Sequence, residues 1–183
     1  MIFRETKLSG AFLIEQERHE DERGFFARTF CREEFAKHGM NPYVAQCNVS
    51  FNKRKGTLRG MHYQVQPFAE AKLVRCTSGA IFDVIIDLRD SSATFGQHVA
   101  IKLSGRTGNM LYIPEGFAHG FQTLEDNTEV FYQMSQPYAA ECARGVRWND
   151  PSFAIEWPDA DRIILDRDRN YPDFAARQGE LAQ

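Results

Sequence analysis

Two histidines sit in settings that could do chemistry. His62 lies in Gly56-Thr57-Leu58-Arg59-Gly60-Met61-His62-Tyr63-Gln64, and His119 ends Gly108-Asn109-Met110-Leu111-Tyr112-Ile113-Pro114-Glu115-Gly116-Phe117-Ala118-His119. An imidazole can ligate a metal or take a proton near neutral pH. A catalytic divalent metal generally needs three protein ligands drawn from imidazole, carboxylate or thiolate. Here Gln64 stands two residues after His62, and Glu70 lies farther along than the usual ligand spacing. Two histidines alone would hold a metal weakly, so no metal is expected. Around them stand Gln46, Asn48, Arg59 and Lys72. Gln46, Asn48 and Ser50 share one face of the run from Val44 to Asn52, and Ala45, Cys47, Val49 and Phe51 share the other. Buried amides and cations are costly unless partnered. The polar face is therefore either in solvent or the lining of a lumen for an anionic, oxygen-rich ligand. Arginine suits a diphosphate through its fork of donors, and some of the 15 Phe and 6 Tyr could stack on a sugar or base.

Short strands must position these residues. Phe82, Val84, Ile86 and Leu88 alternate with Ile81, Asp83, Ile85 and Asp87; Val99, Ile101 and Leu103 alternate with Ala100 and Lys102; Val130, Tyr132 and Met134 alternate with Glu129, Phe131 and Gln133. A period of two marks half-buried strands. Gly79, Gly96, Gly105, Gly108, Pro114 and Gly116 punctuate the runs. No helical stretch separates the strands, which disfavours a parallel doubly wound sheet and predicts an antiparallel sandwich or barrel. One helix is expected from Arg32 to His38, with acids in its first turn, bases in its last and Gly39 closing it. After Trp148 the chain reads as a loop-and-turn tail packed over the barrel.

The 183 residues suit one domain, 1–183, and 43% hydrophobic with 26% charged residues is ordinary for a globular protein. A net charge of −3 gives no pull toward nucleic acid or anionic membranes. The apolar run Ala11–Ile14 is too short for a secretory or membrane-spanning segment. Cys31, Cys47, Cys76 and Cys142 form no C-x-x-C pair, so reduced thiols and a cytoplasmic setting are expected.

The segment ending at His119 is similar to the second cupin motif: Gly, five residues, Pro-x-Gly, two residues, His. The His62 segment resembles the first cupin motif only in part. Taken together, Asp21-Glu22-Arg23-Gly24-Phe25-Phe26, Gln46-Cys47-Asn48, the Gly56–Gln64 run, Lys72-Leu73-Val74, Asp83-Val84, Ile113 to Phe121 and Trp148-Asn149-Asp150-Pro151 strongly resemble the dTDP-4-dehydrorhamnose 3,5-epimerase family, over roughly residues 2–175. The resemblance implies a mainly β, cupin-type antiparallel jelly-roll barrel with a few short helices. It also implies a cofactor-free homodimer and epimerisation of a nucleotide-linked 4-keto-6-deoxyhexose at C3, C5 or both, with a nucleotide-diphosphate sugar as substrate.

By the same resemblance, His62 is the general base, Asp168 orients it, Tyr132 returns a proton from the opposite face, and Lys72 is the cation near the developing enolate. Arg59 and His119 match substrate contacts near the sugar and diphosphate, Gln46 and Asn48 match nucleotide contacts, and Arg23 and Phe26 match residues that cross from a partner subunit. Two positions depart from the family pattern. Arg28 stands where a glutamate linked to base recognition is usual, which leaves the nucleobase open. The tail reads Ile164-Leu165-Asp166-Arg167-Asp168, so the register could slip between Asp166 and Asp168; Asp168 is preferred because it follows the basic residue. Proton removal and return next to a carbonyl needs a near-neutral base, a carboxylate to fix its tautomer, a fixed cation for the enolate oxygen and an acid across the ring. The competing readings are a metal-dependent cupin isomerase or dioxygenase and a non-catalytic sugar-nucleotide-binding barrel.

Overall fold

The computed structural model describes residues 1–174. The chain runs β1 (Ile2–Glu5), β2 (Phe12–Glu15), β3 (Arg18–Asp21), β4 (Gly24–Ala27), α1 (Arg32–Lys37), β5 (Gln46–Asn52), β6 (Leu58–Gln64), β7 (Lys72–Ser78) and β8 (Ala80–Asp87). It continues through β9 (His98–Ser104), β10 (Met110–Ile113), β11 (Phe117–Thr123), β12 (Thr128–Met134), β13 (Ala143–Gly145) and α2 (Asp166–Arg169). One sheet has the order β1-β2-β10-β7-β12-β5 and the other β13-β6-β11-β8-β9, while β3 and β4 form a separate ribbon. The strand pairs are antiparallel, as expected for a jelly roll.

Three apolar layers hold the sheets. Between them, Val74, Leu111 and Val130 of the six-stranded sheet meet Ile81, Ile85, Phe117 and Phe121 of the five-stranded one. Outside the six-stranded sheet, Phe35 of α1 packs on Phe12, Ile14, Met110 and Tyr112. Outside the five-stranded sheet, Leu58, Met61, Val84 and Ile86 are covered by Val146, Phe153 and Trp157 from the tail. Each such side chain contributes about 1.5–3 kcal/mol when fully buried. The period-two reading of β8 as a half-buried strand therefore needs correction: both of its faces are buried, one against the barrel interior and one under the tail. The expected helix forms with His38 as its C-cap, and Gly39 follows at a positive φ of 71°.

The edge strand β5 alternates the other way from a surface strand. Gln46, Asn48 and Ser50 turn inward, while Cys47, Val49 and Phe51 are exposed. The solvent alternative for the polar face thus fails, since the polar side lines the lumen. The interior is accordingly divided into an apolar end filled by side chains and a polar end left open.

Candidate active site

The open end is a cavity of about 700 Å³. Gln46, Asn48, Arg59, His62, Lys72, His119, Tyr132 and Asp168 all line it. These are eight of the ten residues singled out in the sequence. Arg23 and Phe26 lie elsewhere, in the turn and on the second strand of the β3–β4 ribbon; Phe26 is 74% exposed and Arg23 pairs with its neighbour Asp21. Within one chain they do not reach the cavity.

Strand β6 carries the two side chains that matter most on its own sheet. Arg59 and His62 are three residues apart, which on a regular strand would put them on opposite faces. The register against β11 shows how they come together. His119 pairs with His62 and Phe121 with Arg59, so two steps on β11 match three on β6. This bulge lets both residues face the lumen while Leu58 and Met61 face the outer layer. Gly60 sits at the crossing with φ 133°, and a Cβ there would run into the backbone of Gly120.

His62 Nε2 lies 2.8 Å from Oδ1 of Asp168. With Asp168 ionised, Nε2 carries the proton and donates it to the carboxylate, leaving the Nδ1 lone pair free to act as a base. Asp168 also accepts from the Gly60 N–H at 3.3 Å and from Arg167 Nε at 3.2 Å. Burial pushes the Asp168 carboxyl up, but the His62 hydrogen bond and charge, the Gly60 N–H and Arg167 outweigh it and hold the group below the usual carboxylate range. The register question in the tail resolves here: Asp168 is buried and Asp166, on the same short helix, is exposed. That helix is held over the mouth of the lumen. The Leu58 N–H donates to Ile163 O at 2.8 Å, the Phe174 N–H donates to Asp150 Oδ2 at 2.6 Å, and the Tyr171 ring sits where a Cβ at Gly145 would be.

Across the lumen stand Lys72 and Tyr132, on adjacent strands of the other sheet. Lys72 Nζ donates to Glu70 Oε1 at 2.7 Å and to the carbonyl of His62 at 3.3 Å, and both side chains of the Lys72–Glu70 pair are buried. Burial pushes the Tyr132 phenol up, with the nearby Arg59 charge partly opposing it, so Tyr132 keeps its proton through neutral pH and can donate it. Arg59 Nε is held at 2.8 Å by Asn52 Oδ1. Gln46 donates to Asn48 and accepts from the Tyr138 N–H.

Opposite His62, His119 Nε2 lies 2.7 Å from Oδ1 of Asp83, a fully buried carboxylate on β8. Sequence reasoning missed this partner, and it also missed Glu70 and Arg167. The alternation of β8 did put Asp83 on the face shared by Ile81 and Ile85, and an acid between two interior isoleucines was the available signal. Gln64, two residues from His62, is no ligand: it donates to the carbonyls of Phe68 and Pro137 and accepts from the Ala139 N–H, bracing two loops. Among the described residues, no group of three or more His, Cys, Asp or Glu is arranged to hold a metal ion.

Comparison with known proteins agrees with this geometry. The family model described as dTDP-4-dehydrorhamnose 3,5-epimerase matches residues 5–176. A dTDP-4-dehydrorhamnose 3,5-epimerase from Sinorhizobium fredii is 40% identical over 173 residues, covering 94% of this chain and 89% of the relative. Among solved structures, the enzyme of that name from Elizabethkingia anophelis superposes with a TM-score of 0.93 at 37% identity, covering 97% of this chain and 98% of its own. The one from Bacillus anthracis, solved with TDP and pyrophosphate bound, gives a TM-score of 0.91 at 40% identity, covering 94% and 99%. With a family match over nearly its whole length and relatives of this similarity, the chain belongs to the dTDP-4-dehydrorhamnose 3,5-epimerase family.

Proposed function

We propose that the protein is an isomerase that takes a dTDP-linked 4-keto-6-deoxyhexose and inverts the carbons beside the ketone, C3 and C5, by removing and returning a proton. The carrying observation is the placement of His62, backed by buried Asp168, on one wall of the cavity and of Tyr132 and Lys72 on the other.

In this reading the ring lies between the walls. His62 Nδ1 takes the proton α to the ketone, and Asp168 stabilises the imidazolium that forms. The electron pair moves onto the ketone oxygen, which Lys72 faces as a fixed cation in a water-poor lumen. Tyr132 returns a proton to the same carbon from the opposite face, and solvent restores both groups. Arg59 and His119 hold the sugar and diphosphate, and Gln46 and Asn48 contact the nucleotide. No redox cofactor or metal enters the balance, because one proton leaves and one returns.

The working unit is a homodimer in which Arg23 and Phe26 of one chain complete the cavity of the other. Two exposed apolar features support this: Phe25 and Phe26 on the separate β3–β4 ribbon, and Val49 and Phe51 on the edge strand β5. The four free cysteines suit a reducing, cytoplasmic setting.

The test is proton NMR in D₂O with dTDP-4-keto-6-deoxyglucose and no added metal. Deuterium should enter C3 and C5 with formation of the epimerised sugar. Binding of the nucleotide sugar without any exchange would make the barrel a binding module instead.

A further inference from the structure

Lys72 is held by a carboxylate to which the proposed mechanism gives no task. Glu70 stands two residues ahead of it, is buried, and lines the cavity with it. Glu70 Oε1 lies 2.7 Å from Lys72 Nζ, and the same ammonium donates to the His62 carbonyl at 3.3 Å. The other oxygen, Oε2, is buried and accepts no hydrogen bond among the described residues. A buried acceptor left unpaired costs about 1–3 kcal/mol. A buried ion pair is itself weak support for a fold, since packed apolar side chains of similar volume often serve as well. The pair therefore points to a purpose other than stability.

The segment carrying Glu70 is pinned on both sides. Gln64 Nε2, on β6, donates to the Phe68 carbonyl at 2.8 Å. The Ala71 N–H donates to Ser135 Oγ at 2.8 Å, and the Ser135 N–H donates back to the Ala71 carbonyl at 3.0 Å. A closed ring of contacts results. It runs from His62 along β6 to Gln64, across to Phe68, through Glu70 to Lys72, and back to the His62 carbonyl. An ammonium has three donors. Two are spent inside the ring, on Glu70 and on the strand that carries the base, and the third is left for the lumen. We propose that Glu70 is a positioning residue: its hydrogen bond to Nζ aims the third N–H of Lys72 at the ketone oxygen of the bound sugar and fixes the cation relative to His62. This rests on the function proposed above, which supplies the ketone.

A lysine needs such a guide more than most groups do. Its four-carbon stem is flexible and its donors rotate, so charge alone does not fix where an N–H points. Misplacing a reacting group by about 1 Å can cost roughly 10²-fold in rate. The role belongs to the hydrogen bond and its length rather than to the negative charge. Glutamine offers a carbonyl oxygen in the same place; aspartate keeps the charge and ends one methylene short.

The experiment measures steady-state kinetics and deuterium exchange with dTDP-4-keto-6-deoxyglucose for the full chain and five variants: Glu70→Ala, Glu70→Gln, Glu70→Asp, Lys72→Met and the double variant Glu70→Ala with Lys72→Met. Glu70→Ala should lower kcat about 10–100-fold and leave KM within about threefold. Glu70→Gln should recover to within about fivefold of wild type, while Glu70→Asp should stay roughly tenfold or more below it. With Lys72 already replaced by Met, removing Glu70 should change kcat by less than about threefold, because no ammonium is left to aim. An unchanged kcat in Glu70→Ala would overturn the proposal. So would an equal loss with Lys72 absent, which would make Glu70 a support of the fold, or a glutamine variant as slow as the alanine one. Should Glu70→Ala fail to fold, the other two variants decide, and an aspartate enzyme as fast as wild type overturns the proposal alone. Any of these results beside normal wild-type exchange removes this inference and leaves the proposed function standing. A wild type that exchanges no deuterium removes both.

Discussion

The cavity holds two imidazole–carboxylate pairs that look alike and are built differently. His62 and His119 face each other in register on β6 and β11, and each spends Nε2 on a carboxylate oxygen, at 2.8 and 2.7 Å. The His119 pair is made entirely within one sheet: Asp83 comes from the neighbouring strand, is fully buried, and has a second oxygen with no partner. The His62 pair is closed by a residue 106 positions away, on a helix laid over the lumen. Its carboxylate has the Gly60 N–H and Arg167 as additional donors. Exposure follows the same division, 34% for the His62 side chain against 11% for His119. A group that must exchange protons with a ligand needs access and a carboxylate satisfied in both protonation states. A group that only fixes a ligand can be sealed. In the proposed mechanism the first pair serves turnover and the second shape.

The sharpest way to break this contrast is to remove each imidazole. His62→Ala should cut deuterium exchange by about 10²–10⁴-fold, the usual worth of a general base. It should leave thermal stability nearly unchanged, since Asp168 keeps two donors. His119→Ala should do the reverse. It strands the buried Asp83 carboxylate, at a cost of about 3–5 kcal/mol, or roughly 6–20 °C in Tm at about 2–4 °C per kcal/mol for this size of domain. Exchange by the folded fraction should fall much less, by roughly tenfold, the effect of one lost polar contact. Paired melting curves and exchange rates check this; equal thermal losses, or equal catalytic ones, would erase the distinction.

Exchanging the carboxylates sharpens it further. Asp168→Asn preserves shape but lets the imidazole adopt the wrong tautomer. The kcat should drop about 10²–10⁴-fold, with KM within a few-fold. Asp83→Asn should cost no more than about tenfold and act mainly on KM, because in the proposed mechanism His119 contacts substrate without passing a proton. Steady-state kinetics on both variants separates the two patterns.

Much of this contrast could be read before any coordinates, though unevenly. Alternation placed β8, β9 and β12, and it put Tyr132 inward with Val130 and Met134. Polar residues on a strand whose other face is apolar pointed to a lumen, and β5 honours that even though its apolar face lies outside. Motif resemblance brought His62, Lys72, Tyr132 and Asp168 together. Three features escaped because they depend on contacts between distant segments. The bulge at Gly60, which turns Arg59 and His62 to one side, needs the close passage of Gly120. The pairing of Asp83 with His119 depends on which strands are neighbours. The double burial of β8 depends on the tail folding back as a cover.

The smallest expected effect concerns acid stability, and it bears on Asp168 alone. Its folded carboxyl titrates below the unfolded one, because His62, Gly60 and Arg167 together outweigh the burial penalty. The folded state therefore binds this proton less readily than the unfolded chain does. Its contribution to stability is fully present above the unfolded carboxylate range and fades as the pH falls through the folded value. Asp168→Asn removes that dependence, so the difference in Tm between wild type and variant should be constant from about pH 5 to 7 and shrink below about pH 4. A shift of about 1 kcal/mol reads as about 2–4 °C for a chain of this length. A wild-type curve parallel to that of the variant down to pH 3 would mean that Asp168 carries no net charge stabilisation in the fold. The tail would then be held down by its apolar contacts and backbone bonds alone, and the pair it completes would owe its geometry to Phe174 and Ile163 rather than to His62.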